Sequence, residues 1–349
     1  MILDKQNKKP KSISVYLIGI LFLVFAIFPL IIKSPYIMHL LITILLMGYF
    51  ATAWGIVGQT GQVSFGHVAY IGIGAYTSTI LFMQYGVSPW IGMIAGGVAA
   101  TFFGAIIGYP TLRLKGVYFS LATLAFAFIL KIFVVNTFQV GPFWLGASPG
   151  ISITIDKSRS PFAVIQFTDK LPYYYLIFAM LVGIILLSFF INKKKLGYYW
   201  GAIRNDTEAA ESLGINVAKY RIGAFLLSCF LTGVGGVFYA QYILAVDPKR
   251  VLDLGFSIEI ALIGIVGGWQ SILGPFIGAI VLTPIGELIR ARLYNLPQLY
   301  VIIYGLILVA FILFLPKGIN YQIDRLINRI NARILSRKKY NSKDRGGGQ

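Results

Sequence analysis

Ten apolar runs, each near the length of a bilayer-spanning helix, fill most of this 349-residue sequence and leave few folds open to it. They lie at about residues 13 to 32, 36 to 57, 68 to 83, 89 to 109, 117 to 136, 172 to 191, 222 to 245, 255 to 273, 275 to 289 and 298 to 315. A helix needs roughly 20 apolar residues to cross a hydrocarbon core of about 30 Å. Only 12% of the residues are charged, against about 25% in soluble domains. A water-soluble fold is excluded, and the pattern predicts an all-α polytopic membrane protein with about ten transmembrane helices. Lys5, Lys8, Lys9 and Lys11 precede the first run as in a signal peptide. That run is too long for an h-region, however, and Lys33-Ser34-Pro35 offers no small-residue cleavage site, so it reads as a membrane helix.

A formal net charge of +18 would suggest nucleic acid if it lay on a globular surface, but here Lys and Arg gather at the ends of apolar runs. Cytoplasmic loops carry the excess of these residues. With the N-terminus inside, the inner segments hold 21 of the 30 Lys and Arg and the outer segments eight. Both termini are therefore expected in the cytoplasm. Residues 1–12 form a cytoplasmic N-terminus, 13–315 the transmembrane domain, 192–221 its one substantial internal loop, and 316–349 a basic cytoplasmic tail. The external loop, 137–171, is rich in Gly, Pro and Ser and carries no sign of a folded domain. In the tail, Ile323, Leu326, Ile327, Ile330 and Ile334 recur at helical spacing beside a row of Arg325, Arg329, Arg333 and Arg337. This predicts an amphipathic helix over 319 to 337, lying on the anionic inner leaflet or docked on a partner.

Chemistry of its own is poorly supported. One cysteine and two histidines exclude a disulfide framework and leave no metal site, and no catalytic residue is assigned. A phosphate-binding loop needs a Gly-Lys pair, and the chain contains none, so it is not itself an ATPase. Gly61-Gln62-Val63-Ser64-Phe65-Gly66 misses the spacing of a serine nucleophile elbow. A transport subunit that is not an enzyme remains, driven by an ion gradient or by a separate ATPase.

Runs 68 to 83 and 275 to 289 fall short of a full span, and each follows a polar, glycine-rich stretch (58 to 67 and 264 to 274). Paired short, glycine-interrupted segments point to discontinuous helices around a transport path. The alternative for the glycines is close helix packing. Gln59, Gln62, Ser64, Gly66 and His67 are the candidate path residues of the first stretch, although a lone His67 is equally a core imidazole bonded to a backbone carbonyl. Glu259 is the further candidate, because a carboxylate within a span costs about 2.5–3.5 kcal/mol. No local partner relieves it, so it is placed facing the outer vestibule. Glu287 has Arg290 three residues on and reads as half of an ion pair, while Lys131 is within snorkelling reach of the outer surface and is assigned no role.

The internal loop reads WGAIRNDTEAAESLGINVAKYR over 200 to 221. Asn205 with Glu208 three residues on predicts a capped helix from about Asp206 to Leu213, stopped at Gly214. Ala209, Ala210 and Leu213 make a small apolar face too short to span anything, unless the segment is only a solvated connector.

The stretch R-N-D-T-E-A-A-E-S-L-G-I-N resembles the coupling segment of branched-chain amino acid permeases of the LivM type, which belong to ABC importers. Two more stretches resemble that family and follow its order. One is Gly58 to His67 with Gly72-Ile73-Gly74-Ala75-Tyr76, and the other is Gly264-Ile265-Val266-Gly267-Gly268-Trp269 with Gly274-Pro275 and Gly278-Ala279. The resemblance implies a type II ABC-importer-like permease in the bacterial inner membrane. Arg204, Asn205, Asp206, Glu208, Ala209, Ala210, Glu211, Leu213 and Gly214 would dock on an ATPase subunit. It further implies a homologous second permease subunit, two ATP-binding subunits that hold ATP and Mg, and an extracytoplasmic substrate-binding protein, with no cofactor on this chain. Branched-chain amino acids are the expected cargo. Urea, short amides or other amino acids, and an ion-coupled secondary transporter, are the alternatives.

Overall fold

The computed structural model describes residues 11–31, 34–111, 114, 116–156, 158–315, 318–322 and 325. In chain order the helices are α1 (Lys11–Ile31), α2 (Pro35–Gly58), α3 (His67–Tyr85), α4 (Pro89–Thr111), α5 (Val117–Asn136), α6 (Pro161–Val164), α7 (Lys170–Lys193), α8 (Lys195–Asn205), α9 (Thr207–Ser212), α10 (Val217–Ile243), α11 (Pro248–Val251), α12 (Leu254–Gly267), α13 (Gly274–Arg292) and α14 (Pro297–Phe314). Four two-residue strands accompany them: β1 (Gln139–Val140), β2 (Phe143–Trp144), β3 (Ile151–Ser152) and β4 (Ala245–Val246).

Among the described residues, six helices are long and apolar enough to cross a membrane: α2, α4, α5, α7, α10 and α13. Two sequence expectations change here. Neither α3 nor α13 is a short half-helix, for each runs 19 residues. Gln84 and Tyr85, or Arg290 and Arg292, end the apolar run without ending the helix. The short element is α12, 14 residues or about 21 Å at 1.5 Å per residue. The apolar run over 255 to 273 conceals its end, because Gly268 turns left-handed at φ 98°, a conformation glycine adopts without the Cβ penalty.

α2 forms the centre, with residues 44–58 all buried, and packs on α7, α10, α12 and α13. α3, α4 and α10 form a second tight group. Their contact depends on missing side chains: a Cβ on Gly74 would strike the backbone of Gly233, and one on Gly236 the backbone of Ile71. Small residues allow such close approach where lipid supplies no hydrophobic drive between helices.

The segment between α5 and α7 has more structure than its composition suggests. β1 pairs antiparallel with β2, and β3 pairs antiparallel with β4, Ile151 opposite Val246. The Ser160 hydroxyl caps α6 by accepting from the Ala163 N–H. Ile153, Val164 and Ile165 are buried, so the segment is fastened over the end of the bundle where α10 stops. Two-residue strands carry no readable period, which is why they are not legible in the sequence.

The connector between α7 and α10 holds two helices rather than one. Asn205 is the last residue of α8 and not the cap. Extended Asp206 takes that place, its Oδ1 accepting from the N–H groups of Glu208 and Ala209 at 3.0 Å each. Buried Trp200, whose indole N–H donates to the Tyr220 carbonyl, and buried Ile203 hold α8 helical through Asn205. Gly214 does mark the stop, at φ 79°. After α14, Gly318 packs on the backbone of Gly268. The tail helix expected over 319 to 337 falls largely outside the described residues.

Candidate functional site

Between α2 and α3 the chain leaves helix from Gln59 to Gly66 while enclosed by other helices. Hydrocarbon offers no water to such backbone, so each polar group there needs a protein partner. Side chains supply them. The Ser120 hydroxyl donates to the Val63 carbonyl (2.5 Å), and Thr123 Oγ1 accepts from the Phe65 N–H (3.2 Å). Ser257 Oγ donates to the Phe65 carbonyl (2.7 Å) and accepts from the Val68 N–H (3.3 Å). The Trp54 indole N–H donates to the Ser64 carbonyl (2.7 Å).

His67 belongs to this support. Its ring touches two serine hydroxyls, not a backbone carbonyl: Ser228 from Nε2 (2.8 Å) and Ser64 from Nδ1 (3.1 Å). Ser228 spends its own proton on the Ala53 carbonyl (2.7 Å). Nε2 must therefore be the donor to Ser228, and Nδ1 the acceptor from Ser64. Gly66 lies against the backbone of Thr123. Gln59 accepts from the Asn192 amide (3.0 Å) at the α7–α8 joint, and Gly61 abuts Arg204. Gln62 is buried with neither amide atom partnered among the described residues.

Glu259 stands apart from these residues. It lines a cavity of about 730 Å³ walled by the start of α2, the end of α10, Lys249 and Arg250 of α11, the start of α12, the end of α13 and the start of α14. The structure thus separates the candidate path residues, with Glu259 at the cavity and the other five in the packed interior or at the connector. Sequence reasoning missed most of the cavity's polar wall. Glu259 Oε1 accepts from the Tyr304 hydroxyl (3.2 Å). Arg290 donates to Glu287 Oε1 (2.8 Å) and to the Tyr300 hydroxyl (2.9 Å). Lys131, assigned no role from sequence, reaches Asp253 at 3.7 Å and joins α5 to the cap of α12. His39 Nδ1 and the Tyr242 hydroxyl share a 2.5 Å hydrogen bond across the cavity's outer wall. Tyrosines near helix ends are ordinary in membrane proteins, so only the spacing of Tyr300 and Tyr304 with Arg290 hinted at this cluster.

At the opposite ends of α7 and α10, α9 presents its connector. Glu208, Ala209, Glu211 and Gly214 are exposed, and Leu213 is 81% exposed. Asn205 and Asp206 are also exposed, while Arg204 is half-buried beside Gly61. Ala210 differs from the expectation of an outward apolar face: it is 2% exposed and packs with Ile203 and Val217. The helix turns one alanine inward and the other outward.

The model of the family described as "Branched-chain amino acid transport system / permease component" matches residues 36–312, which include the break, the connector and the cavity. The chain belongs to this family. The high-affinity branched-chain amino acid transport system permease protein LivM of Escherichia coli (strain K12) is 28% identical over 282 residues, 76% of this chain and 65% of that protein. The chain therefore spans about 65% of the length of the LivM relatives it matches. The nucleoside ABC transporter permease protein NupC of Lactococcus lactis subsp. cremoris is 26% identical over 71% of this chain and 76% of its own. The L-arabinose ABC transporter permease protein AraH of Azospirillum brasilense is 25% identical over 79% and 78%. No solved structure matches. Members of the family are transport components rather than enzymes, and this permease-family chain, with six helices long and apolar enough to cross a membrane among the described residues, is a multi-pass protein of the bacterial inner membrane.

Proposed function

We propose that the chain is the membrane-spanning permease subunit of an ATP-driven importer that moves branched-chain amino acids delivered by an extracytoplasmic binding protein. The observation that carries this reading is the placement of a charged cavity and an exposed connector at opposite ends of one bundle, in a chain 28% identical to a branched-chain amino acid permease. In this reading the bundle makes ten crossings with both termini in the cytoplasm. The cavity then opens outward and receives the cargo at Glu259. The segment from Arg204 to Gly214 docks on one of two ATP-binding subunits, and a homologous second permease subunit completes the pathway. ATP and Mg stay on the partner subunits. Gln59, Gln62, Ser64, Gly66 and His67 form the joint through which movement of the connector reaches the path, since Gln59 and Gly61 meet the α7–α8 region.

A second reading, a nucleoside or pentose permease, draws on the NupC and AraH relatives. Uptake into proteoliposomes that hold this chain with its partner permease, ATPase subunits and binding protein separates the two. ATP-dependent accumulation of leucine is expected. Accumulation of uridine or arabinose alone would transfer the cargo to the second reading, and uptake that follows an ion gradient without ATP would reject the ATP-driven mechanism.

A further inference from the structure

We infer that Glu259 and Arg290 read the two charges of a zwitterion, Glu259 accepting an ammonium group and Arg290 a carboxylate, from a ligand standing against the stacked rings of Tyr300 and Tyr304. The inference rests on the proposal that this cavity receives the cargo.

Charge pairing around the cavity singles out Glu259. Three acids line it. Asp253 has Lys131 at 3.7 Å, and Glu287 has Arg290 at 2.8 Å. Glu259 has no cation within ion-pair distance among the described residues. It receives one neutral hydroxyl, from Tyr304 on Oε1, and its second oxygen accepts no hydrogen bond among the described residues. It is the sole charged residue of α12. Arg290 acts on it through space, and Lys249 and Arg250 also line the cavity, but among the described residues none of them pairs with it directly, the compensation that usually accompanies charge within a membrane protein. The groups around it suit a cation from outside: Tyr239, Tyr242, Tyr300, Tyr304 and Phe256 share the cavity wall, and aromatic faces attract an ammonium group.

Arg290 offers the opposite charge nearby. Its guanidinium carries five N–H donors and uses Nη1 on Glu287 and Nη2 on Tyr300, while its side chain stays 53% exposed. The group lies over the Tyr300 ring, 4.9 Å from its centroid, so its orientation is fixed while donors remain for a planar carboxylate. Tyr300 and Tyr304 stack with centroids 5.7 Å apart, which puts the two charged groups beside neighbouring rings. Leu46, Met47, Leu262 and Leu308 line the same cavity and give an aliphatic side chain an apolar wall. A nucleoside or a pentose has no ammonium group and would leave Glu259 without a directly paired cation.

The test compares leucine with two compounds that each lack one charge, 3-methylbutan-1-amine and 4-methylpentanoate, using the full-length chain in its assembled transporter and ligand-observed NMR for dissociation constants. Glu259→Gln keeps an acceptor for Tyr304. It is expected to weaken leucine and the amine by about tenfold, roughly 1.4 kcal/mol, and to leave the acid unchanged. Arg290→Gln should weaken leucine and the acid and leave the amine unchanged. Because each variant retains one compound as an internal control for folding, the crossed pattern cannot come from general damage. Variants that bind leucine as tightly as wild type, or that lose all three compounds together, would overturn the inference while leaving leucine import by the wild-type complex intact. A wild-type complex that binds and imports uridine or arabinose but not leucine would overturn the cargo assignment and this inference with it.

Discussion

Replacing Ser257 by alanine removes the most heavily used side-chain support of the break between α2 and α3. The residue is fully buried, and its hydroxyl both donates to the Phe65 carbonyl and accepts from the Val68 N–H. Val68 lies in the first turn of α3, where backbone N–H groups have no helical acceptor. The variant therefore strands one donor and one acceptor. A buried polar group left unsatisfied costs about 1–3 kcal/mol, whereas side-chain hydrogen bonds measured between membrane helices average about 0.6 and reach about 1.7 kcal/mol. Two such bonds place the expected loss at about 1.5–3 kcal/mol. Thr283→Val is the matched control, since the Thr283 hydroxyl is buried without a partner among the described residues. Removing it is expected to be neutral or slightly stabilising. Unfolding of the detergent-purified protein in SDS, followed by the fluorescence of its five tryptophans, gives both values on one scale. If the break is lined by water, solvent replaces the Ser257 hydroxyl and Ser257→Ala falls within about 0.5 kcal/mol of wild type. That result, or an equal cost for Thr283→Val, would refute the dry, side-chain-supported break.

Three further outcomes follow from the packing. Ala210→Trp, which forces an indole into the Ile203–Val217 contact, should lower stability by about 1–3 kcal/mol, whereas exposed Leu213→Asp should leave the melting temperature unchanged and abolish coupling of ATP hydrolysis to uptake in proteoliposomes. Gly74→Leu should disrupt the α3–α10 contact, because its Cβ meets backbone at Gly233, while Gly183→Ala in α7 has open space around it and should be neutral or stabilising by about 0.5–1 kcal/mol in the same SDS titration. In a Cys229→Ala background, Glu259→Cys should react with a hydrophilic thiol reagent and Ser64→Cys should not; equal labelling of the two would place the break on a water-filled route.

The limits of reading this sequence have identifiable causes. Membrane helices are legible because the bilayer sets a length near 20 residues and hydropathy measures it directly. The end of α12 is not, since Ile272 and Leu273 remain apolar beyond the helix and the stop depends on the backbone of Gly268. Asn205 and Asp206 are equally good caps by type, and the choice between them is made by Trp200 and Ile203, which extend α8 by packing at a distance. Ala209 and Ala210 are chemically identical, so nothing local tells which one the helix turns outward. Glu259 is legible in the sequence as a costly carboxylate without a local partner and hence as a path candidate, but the groups that surround it are not. Its contact with Tyr304 joins residues 45 positions apart. The ion pair of Lys131 and Asp253 joins α5 to the start of α12, and each member alone reads as a helix-end residue. Only when Asp253 is matched with Lys131 and Glu287 with Arg290 does Glu259 emerge as the cavity acid without an ion-pair partner among the described residues. Its neighbours in the chain show that Glu259 lacks a local partner; only assembly shows that no ion-pair partner arrives from elsewhere among the described residues.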